Sequence, residues 1–446
     1  MVTRYFSIFH FAIAAVVSGG VISEAATNPP APVKIPKVTR GPYLQSGTPH
    51  SVVVRWRTDE MTKSMLRYGI DPLQLTNTAQ SAGVLSEHVV LVRNLKPQTK
   101  YFYSIGTDKL TLSTGPDHFF VTSPLPGTAQ PTRIWVIGDA GTRGAKQRAV
   151  RYAYEQFAGD RHTDLWLMLG DNAYPDGTDE QYQGAVFDMY RDLLRKSVVW
   201  PTVGNHDAIS ATSDTQSGVY FDLFTLPTLG QAGGLPSGTE AYYAFDFANI
   251  HFICLDSHDT DRSPNGAMLT WLKHDLASTR QHWIFAFWHH PVYSKGSHDS
   301  DNDNDSGARM RDMRTNALPI LEAAGVDLVL NGHSHNYERS FLLDGHYGRS
   351  ETLKPEMKKN AGDGRPDGQG AYAKVTLGPG VHEGAVYVVA GSSGQASGGT
   401  LDHPAMFISL NELGSLILDV NSNRLDAVFL DYKGSRRDYF TIIKGQ

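Results

Sequence analysis

Five apolar segments of this chain each lead into side chains that can bind a metal ion, and this repeated arrangement constrains the fold more than any other feature. In the last of them, the β-branched and leucine-rich run 326–330 is followed by Gly332-His333-Ser334-His335. Such a run before a Gly predicts a buried strand that opens into a loop. We expect Gly332 to permit the turn that points both histidines the same way.

The other four segments lie upstream and have the same form. In an open α/β sheet, side chains that follow the carboxyl ends of neighbouring strands gather outside one edge of the sheet. We therefore expect the metal-capable side chains to converge, although they are spread from residue 139 to residue 335. The four segments are Gly138-Asp139 after 133–137, Gly170-Asp171-Asn172-Ala173-Tyr174 after 165–169, Gly204-Asn205-His206-Asp207 after 199–203, and His289-His290-Pro291 after 284–288.

Length and composition indicate a soluble protein with more than one domain. The chain has 446 residues, which is long for a single core. It is 40% hydrophobic and 19% charged, which argues against long disordered segments. The formal charge of -6 gives no support for nucleic-acid or membrane-surface binding, because such proteins present a basic face.

The N-terminus has the pattern of a secretory signal peptide, with an early positive charge, an apolar run over 5–22 and small residues near 23–25. An anchored N-terminal helix is the alternative. No later stretch reaches the roughly 18 apolar residues of a membrane span, so we expect no membrane span after signal removal.

Cys254 is the single cysteine and is expected to be buried and inert. An exported protein without disulfides suits a bacterial periplasm or exterior.

We expect a signal peptide at 1–25, a Pro-rich leader at 26–37 and a module of short strands at 38–124. Within that module, Leu95-Lys-Pro-Gln-Thr-Lys-Tyr101 resembles a stretch of fibronectin type III-like domains. That resemblance implies a β-sandwich in which Tyr101 forms the tyrosine corner and Trp56 lies in the core. The module is expected to be a spacer or docking surface.

After a linker at 125–131, strands alternate with helices through 132–446, which predicts an α/β domain with a β-rich end. Helical spacing of apolar residues predicts helices over 145–158 and 180–195. The aspartate-rich segment 299–307 is expected to be a solvated loop. A calcium loop is the less favoured alternative, because the glycine of an EF-hand is displaced and the closing glutamate is missing.

The order of the five segments resembles the calcineurin-like metallophosphoesterases, and Tyr174 narrows the resemblance to the purple acid phosphatases. It extends from about residue 38 to the end of the chain. The resemblance implies a four-layer αββα metallophosphoesterase sandwich preceded by an all-β, fibronectin type III-like sandwich. It also implies two metals bridged by Asp171, one of them ferric and the other divalent iron, zinc or manganese. The ferric ligands would be Asp139, Asp171, Tyr174 and His335, and the divalent ligands Asp171, Asn205, His289 and His333.

The residue types by themselves also suit the assignment of these ligands to one trivalent and one divalent ion. Carboxylate and phenolate oxygens are hard and anionic, as a trivalent ion prefers, whereas an amide and two imidazoles suit a softer divalent ion. In the family, a metal-activated hydroxide attacks the phosphoryl group. His206 follows a ligand directly, and His298 has the spacing of the family's substrate-contacting histidine. We predict that both stabilise phosphate, that one of them acts as general acid, and that Asp207 orients His206.

We interpret the chain as an exported acid phosphatase that acts on small phosphate monoesters. A phosphodiesterase or nucleotide hydrolase using the same metals is one alternative, and it would prefer bis-(p-nitrophenyl) phosphate to the monoester. A catalytically silent binding protein is an alternative of another class. Such a protein is expected to have lost ligands, and here every expected position is filled. The sequence does not fix the oligomeric state.

Overall fold

The computed structural model of the chain describes residues 34–446 and scattered positions between 1 and 20. Clustering of the backbone gives two compact units, residues 1–35 and 36–446, and the fold below is that of the second. The signal peptide and most of the leader lie outside the continuously described residues, so both stay predictions. Among the described residues, no helix is both long and apolar enough to cross a bilayer.

The N-terminal part is all β, as predicted. Its strands form one sheet of order β1-β2-β5 and a second of order β4-β3-β6-β7, with β8 paired to β6. Trp56 is fully buried, and the Tyr101 hydroxyl accepts a hydrogen bond from the Lys96 backbone N–H at 3.0 Å, as a tyrosine corner would. The strands are β1 (Val38–Gln45), β2 (Val52–Lys63), β3 (Met65–Gly69), β4 (Asn77–Ala79), β5 (Val84–Val92), β6 (Lys100–Gly106), β7 (Thr111–Ser113) and β8 (Phe119–Val121).

Two sheets of seven strands form the rest of the chain. Two further pairs, β12 with β13 and β19 with β20, lie outside them. The strands are β9 (Thr132–Ile137), β10 (Leu165–Met168), β11 (Val198–Pro201), β12 (Ala211–Thr212), β13 (Ser217–Gly218), β14 (Tyr243–Phe247), β15 (Ile250–Cys254), β16 (Trp283–Trp288), β17 (Leu328–Asn331), β18 (Tyr337–Ser340), β19 (Leu342–Leu343), β20 (Lys358–Asn360), β21 (Tyr372–Lys374), β22 (Val386–Ala390), β23 (Met406–Leu410), β24 (Gly414–Asn421), β25 (Arg424–Asp431) and β26 (Arg436–Lys444).

Helices are short apart from two. They are α1 (Ala145–Ala158), α2 (Asp179–Tyr182), α3 (Arg191–Leu194), α4 (Val219–Leu223), α5 (Ala267–Ser278), α6 (Arg309–Asp312) and α7 (Leu318–Ala323). Turns of 3₁₀ type lie at Asp207–Ile209, Ser350–Thr352 and Pro355–Met357, and wider π turns at Gln183–Phe187 and Met313–Ala317. The tight turn Asp305–Ala308 contains left-handed residues.

The first large sheet has the order β11-β10-β9-β24-β25-β26-β21, and the second has the order β14-β15-β16-β17-β22-β18-β23. In the first, β9, β10 and β11 run parallel, and in the second β15, β16, β17 and β22 do. The two sheets pack on each other. Tyr337 on β18 stacks on Phe429 of β25 at 4.0 Å, and Arg339 donates to Asp438 of β26 at 2.6 Å in a fully buried ion pair. This is the sandwich of two sheets that the family resemblance implies.

The helix predicted over 180–195 is interrupted. α2 passes into the π turn Gln183–Phe187, and α3 begins only at Arg191. Gly184 lies in the wide turn, where an added Cβ would be 2.7 Å from Cδ of Arg143. The close approach of Arg143 thus coincides with an interruption in a segment whose apolar spacing is helical throughout.

The N-terminal strands are held to this interrupted segment by two arginines. Arg40, which is fully buried, and Arg57 both donate to the carboxylate of Asp179, and Gln183 accepts a hydrogen bond from Arg40 Nε at 2.8 Å. Residues 36–446 thus form one compact unit, and the boundary predicted at 125–131 stays a prediction.

Cys254 is buried as expected, and burial raises the pKa of its thiol to about 12.

Candidate metal centre

The five strand-end segments meet where the carboxyl ends of both large sheets come together. The segments after β9, β10 and β11 come from the first sheet, and those after β16 and β17 from the second. Ligand atoms of Asp139, Asp171 and His289, one from each of three segments, lie within 4.8 Å of one another and are buried. The predicted convergence therefore occurs, at a junction between two sheets rather than at one sheet's edge.

One group of ligand atoms surrounds the phenolic oxygen of Tyr174. That oxygen lies 3.0 Å from Asp171 Oδ2, 3.2 Å from Asp139 Oδ1 and 3.2 Å from His335 Nε2. Nε2 of His335 is in turn 3.6 Å from Asp139 Oδ1. These four side chains are the set that the family resemblance assigns to the ferric ion.

A second group surrounds the amide oxygen of Asn205. It lies 2.9 Å from His289 Nε2 and 2.9 Å from His333 Nδ1, and these two nitrogens are 3.1 Å apart. Asp171 Oδ1 is 3.4 Å from His289 Nε2, so each oxygen of the Asp171 carboxylate faces a different group. All seven predicted metal ligands are brought together, with Asp171 between the two groups.

The hydrogen-bond partners of these atoms show whether the two groups fit a cation. His289 Nδ1 lies 2.9 Å from the Leu169 carbonyl oxygen, which can only accept, so Nδ1 carries the hydrogen and Nε2 presents a lone pair. The Asn205 oxygen also presents lone pairs. Two acceptors facing each other without a hydrogen repel, whereas a cation between them would satisfy both. In the other group, the Tyr174 hydroxyl has one hydrogen but lies within 3.2 Å of two carboxylate oxygens that can only accept, so one of them is left without it. The donor set thus fits two metal ions.

Burial sets the protonation of these groups. It lowers the pKa of His289 to about 4, and burial together with the neighbouring His289 holds the pKa of His333 well below its usual range, so both rings are neutral, as metal binding would require. Burial, reinforced by Asp139 and Asp171, holds the pKa of Tyr174 well above its usual range. The phenol therefore keeps its proton, and a cation bound to its oxygen would take the proton's place.

The backbone turns at the ligands themselves. Asp139, Asp171 and His333 have φ angles of 54°, 51° and 66°, in the left-handed region that non-glycine residues seldom adopt. Gly332 is not left-handed, so the expectation that it supplies the turn is wrong. It is required because a Cβ there would lie 2.5 Å from Asp139 Oδ2. The strained backbone at three ligands is of the kind that persists at functional sites.

His206 lies beside the first group. Its Nδ1 donates to the Pro175 carbonyl oxygen at 2.6 Å, and its Nε2 is 3.9 Å from Asp171 Oδ2. The prediction that Asp207 orients this ring is wrong. Asp207 is buried and accepts hydrogen bonds from the Tyr182 hydroxyl at 2.6 Å and from the Gly204 N–H at 2.9 Å. Its side chain therefore braces the loop that carries Asn205 and does not contact His206.

His298 lies beside the second group. Its ring stacks on His333 at 3.9 Å, and its Nδ1 lies 2.8 Å from Asp305 Oδ1. Asp305 belongs to the aspartate-rich segment, which is thus more than a solvated loop. His206 and His298 each expose about a third of the side chain, 32% and 31%, so both are accessible to a substrate.

Sequence reasoning missed one further loop of the site, which follows β22. Gln395 Nε2 lies 3.2 Å from His335 Nε2, and Ser397 Oγ lies 3.3 Å from His335 Nδ1. β22 is parallel to β17, so the loops after both strands open at the same edge. The signal was present in the sequence, because 386–390 is an apolar run followed directly by Gly391.

Comparison with known families gives two matches, side by side along the chain. The family described as calcineurin-like phosphoesterase matches residues 132–337. The family described as purple acid phosphatase, N-terminal domain, matches residues 40–122. Together they cover more than half of the chain.

Curated relatives carry the same family name. Purple acid phosphatase 18 of Arabidopsis thaliana is 27% identical over 337 residues, which are 72% of this chain and 69% of the relative. Purple acid phosphatase 15 of the same plant is 28% identical over 283 residues, 57% of this chain and 49% of the relative. This chain therefore spans between about half and about two thirds of the length of these relatives.

Solved structures share the fold. The purple acid phosphatase PPD1 from yellow lupin (Lupinus luteus) seeds matches with a TM-score of 0.67 and 17% identity, covering 92% of this chain and 74% of that one. PhoD matches with a TM-score of 0.63 and 15% identity, covering 93% and 92%. At these identities the likeness concerns the fold alone.

The fold, the strand-end side chains and the matched region 132–337 define the class, which is that of the calcineurin-like phosphoesterases. With the N-terminal domain matched as well, the chain belongs to the purple acid phosphatase family.

Proposed function

We propose that this chain hydrolyses small phosphate monoesters at a binuclear metal centre. The observation that carries the proposal is the division of the buried ligand atoms into two groups that share Asp171, one oxygen facing Tyr174 at 3.0 Å and the other facing His289 at 3.4 Å. One carboxylate can span two cations, which two-metal hydrolases hold roughly 3.5–4 Å apart.

Seven side chains would hold the two ions: Asp139, Asp171, Tyr174, Asn205, His289, His333 and His335. When bound, the ions would supply a binding site for the phosphoryl group, an activated water and stabilisation of the charge that develops during displacement. The protein's part is to keep the ligands deprotonated and correctly oriented. Burial keeps the two histidines of the Asn205 group deprotonated. The Leu169 carbonyl orients the ring of His289.

His206 and His298 are proposed to bind phosphate oxygens from opposite ends of the ligand cluster. Each ring has its Nδ1 committed to a protein acceptor, Pro175 for His206 and Asp305 for His298. Each therefore has Nε2 available to a substrate. A protonated Nε2 donates a hydrogen bond to a phosphate oxygen, and one of the two rings would pass that proton to the leaving group.

We further propose Fe(III) in the Tyr174 group and divalent iron, zinc or manganese in the Asn205 group. Two carboxylates and a phenolate are hard, anionic ligands that favour a trivalent ion. An amide oxygen and two neutral imidazoles favour a divalent ion. A phenolate bound to ferric iron also produces a visible absorption band.

The test combines metal analysis with substrate comparison on freshly purified full-length protein. We expect two ions per chain, a broad visible band, and faster turnover of p-nitrophenyl phosphate than of bis-(p-nitrophenyl) phosphate. Faster turnover of the diester would overturn the monoester assignment in favour of a phosphodiesterase. Two ions without any hydrolysis would indicate a silent binding protein, and absence of bound ions would overturn the site itself.

The chain is also proposed to be exported. The support is the apolar run over 5–22 followed by small residues, together with a single cysteine. Mass spectrometry of the mature N-terminus after expression in a bacterium tests the signal peptide, since cleavage near residue 25 is expected.

The domain boundaries at 38–124, 125–131 and 132–446 are proposed from the change of strand pattern. Limited proteolysis that cuts within 125–131 would support them.

A further inference from the structure

The aspartate-rich loop reaches the metal ligands through one hydroxyl. Ser306 Oγ lies 2.6 Å from His333 Nε2 and 2.7 Å from Asp305 Oδ1. A serine hydroxyl has a single hydrogen and can donate it to only one of these two partners. Which partner receives it decides which nitrogen of His333 carries a hydrogen.

Asp305 is the partner that requires the hydrogen. Its carboxylate is an acceptor that collects hydrogen bonds from three sides: from the Ser306 hydroxyl, from His298 Nδ1 at 2.8 Å and from the Asp299 backbone N–H at 2.9 Å. Because the serine hydrogen points to Asp305, the serine oxygen can only accept from His333. His333 Nε2 must then carry the hydrogen of the neutral ring.

This leaves His333 Nδ1 with a lone pair, and Nδ1 is the atom that faces Asn205 and His289. We propose that Ser306 is a positioning residue that fixes the tautomer and the orientation of His333 as a metal ligand, and that Asp305 holds the serine in that role. The proposal rests on the proposed function, because it assigns the ring a metal to bind.

The backbone of this loop supports the assignment. Ser306, Gly307 and Ala308 are all left-handed, with φ angles of 53°, 59° and 63°. Two of the three are not glycine, so the conformation is unfavourable for this sequence and must be held by its contacts. The contacts of Ser306 with Asp305 and His333 are contacts of that kind. The segment singled out for its aspartates thus serves the site through its serine.

The same carboxylate oxygen of Asp305 accepts from Ser306 and from His298. The loop therefore connects a ring that faces the substrate with a ring that faces the metal. Partners of this type, bonded to a ligand on the side away from the metal, typically change metal affinity by about 10–100-fold when they are removed.

The experiment measures zinc affinity of the full-length protein by chelator competition, starting from metal-free enzyme. Wild type is expected to bind two zinc ions per chain. Ser306→Ala and Ser306→Gly both remove the hydroxyl, and we expect each to bind one ion as in wild type and the other about 10–100-fold more weakly. Glycine tolerates the left-handed backbone, so Ser306→Gly is expected to unfold in urea no earlier than wild type.

Ser263 provides the matched control. Its hydroxyl also donates to a carboxylate, that of Asp261 at 2.9 Å, but on an exposed turn away from the ligands. Ser263→Ala is expected to keep both zinc affinities. The proposal is overturned if folded Ser306→Gly binds both ions as tightly as wild type, or if the control loses as much affinity. A wild type that binds neither zinc nor iron would instead refute the proposed function.

Discussion

His289 Nε2 and His333 Nδ1 lie 3.1 Å apart, and their other contacts leave both nitrogens with lone pairs directed at each other. Without a cation this approach is repulsive, and with one it is stabilising. We therefore expect bound metal to stabilise the folded protein. A ligand that binds only the native state, at 100 times its dissociation constant, adds about 2.7 kcal/mol. Chelation should lower the melting temperature measured by calorimetry, and added zinc should restore it. An unchanged melting temperature would contradict the site.

Asp171→Asn should remove both metal ions and abolish hydrolysis. The substitution keeps the side-chain size but replaces the one carboxylate that faces both ligand groups with a neutral amide. Metal content per chain and turnover of p-nitrophenyl phosphate are the measurements. The control is Asp261→Asn, on an exposed turn, which should keep both. Full activity in the Asp171 variant would refute the ligand assignment.

Tyr174→Phe should abolish the visible absorption band. The ring is retained, but the oxygen that lies within 3.2 Å of Asp139 and His335 is lost, so ferric iron would have no phenolate ligand. Tyr439→Phe is a suitable control, because its hydroxyl also contacts a carboxylate, that of Asp367 at 2.8 Å, but outside the site. The absorption spectrum of oxidised, metal-loaded protein is the readout. A band of unchanged intensity in Tyr174→Phe would show that another group gives the colour.

His298→Ala should lower kcat by about 100-fold while both ions stay bound, which is the usual effect of losing a positioned proton donor. The ring packs on His333 at 3.9 Å but holds no position among the seven ligands. Steady-state kinetics and metal content measured on the same sample separate the two effects. His50→Ala, in the turn between β1 and β2, should change neither. Loss of one ion together with activity would make His298 a ligand and contradict its assigned role.

Stability should fall at alkaline pH because of His251. This buried ring lies 2.7 Å from Asp246 and 2.7 Å from Asp275, and although burial lowers its pKa, the two carboxylates raise it from 6.5 to about 9. A raised pKa means that the stabilisation is complete below pH 6.5 and is lost as pH rises through about 9, by ~3 kcal/mol in all.

Urea unfolding of the metal-free protein between pH 6 and pH 10 measures this loss. His251→Gln should remove most of the pH dependence in that interval. His274→Gln, on the exposed side of α5, should preserve it. A wild-type unfolding free energy that stays constant up to pH 10 would contradict the prediction.

Local patterns in the sequence were enough for several elements and not for others. The apolar spacing predicts α1 with the bounds it has, because a helical stripe needs only nearby residues. The same reasoning fails at Gly184, where the approach of Arg143 accompanies a π turn in the helix. Asp207 was assigned to the neighbouring His206, yet it bonds Tyr182, which lies 25 residues away along the chain. Contacts of that range cannot be read from spacing.

The sequence by itself determined the ligand chemistry and its order along the chain, since Gly-Asp, Gly-Asn-His and Gly-His-x-His follow apolar runs whatever the packing. The tertiary structure decided how those groups are held. It placed strand ends from two sheets at one point, put Asp139, Asp171 and His333 in left-handed backbone, and brought Ser306 to the far side of a histidine. The physical reason is that the covalent sequence fixes which side chain stands at each position. The orientation, tautomer and charge of that side chain depend on atoms that only folding brings near.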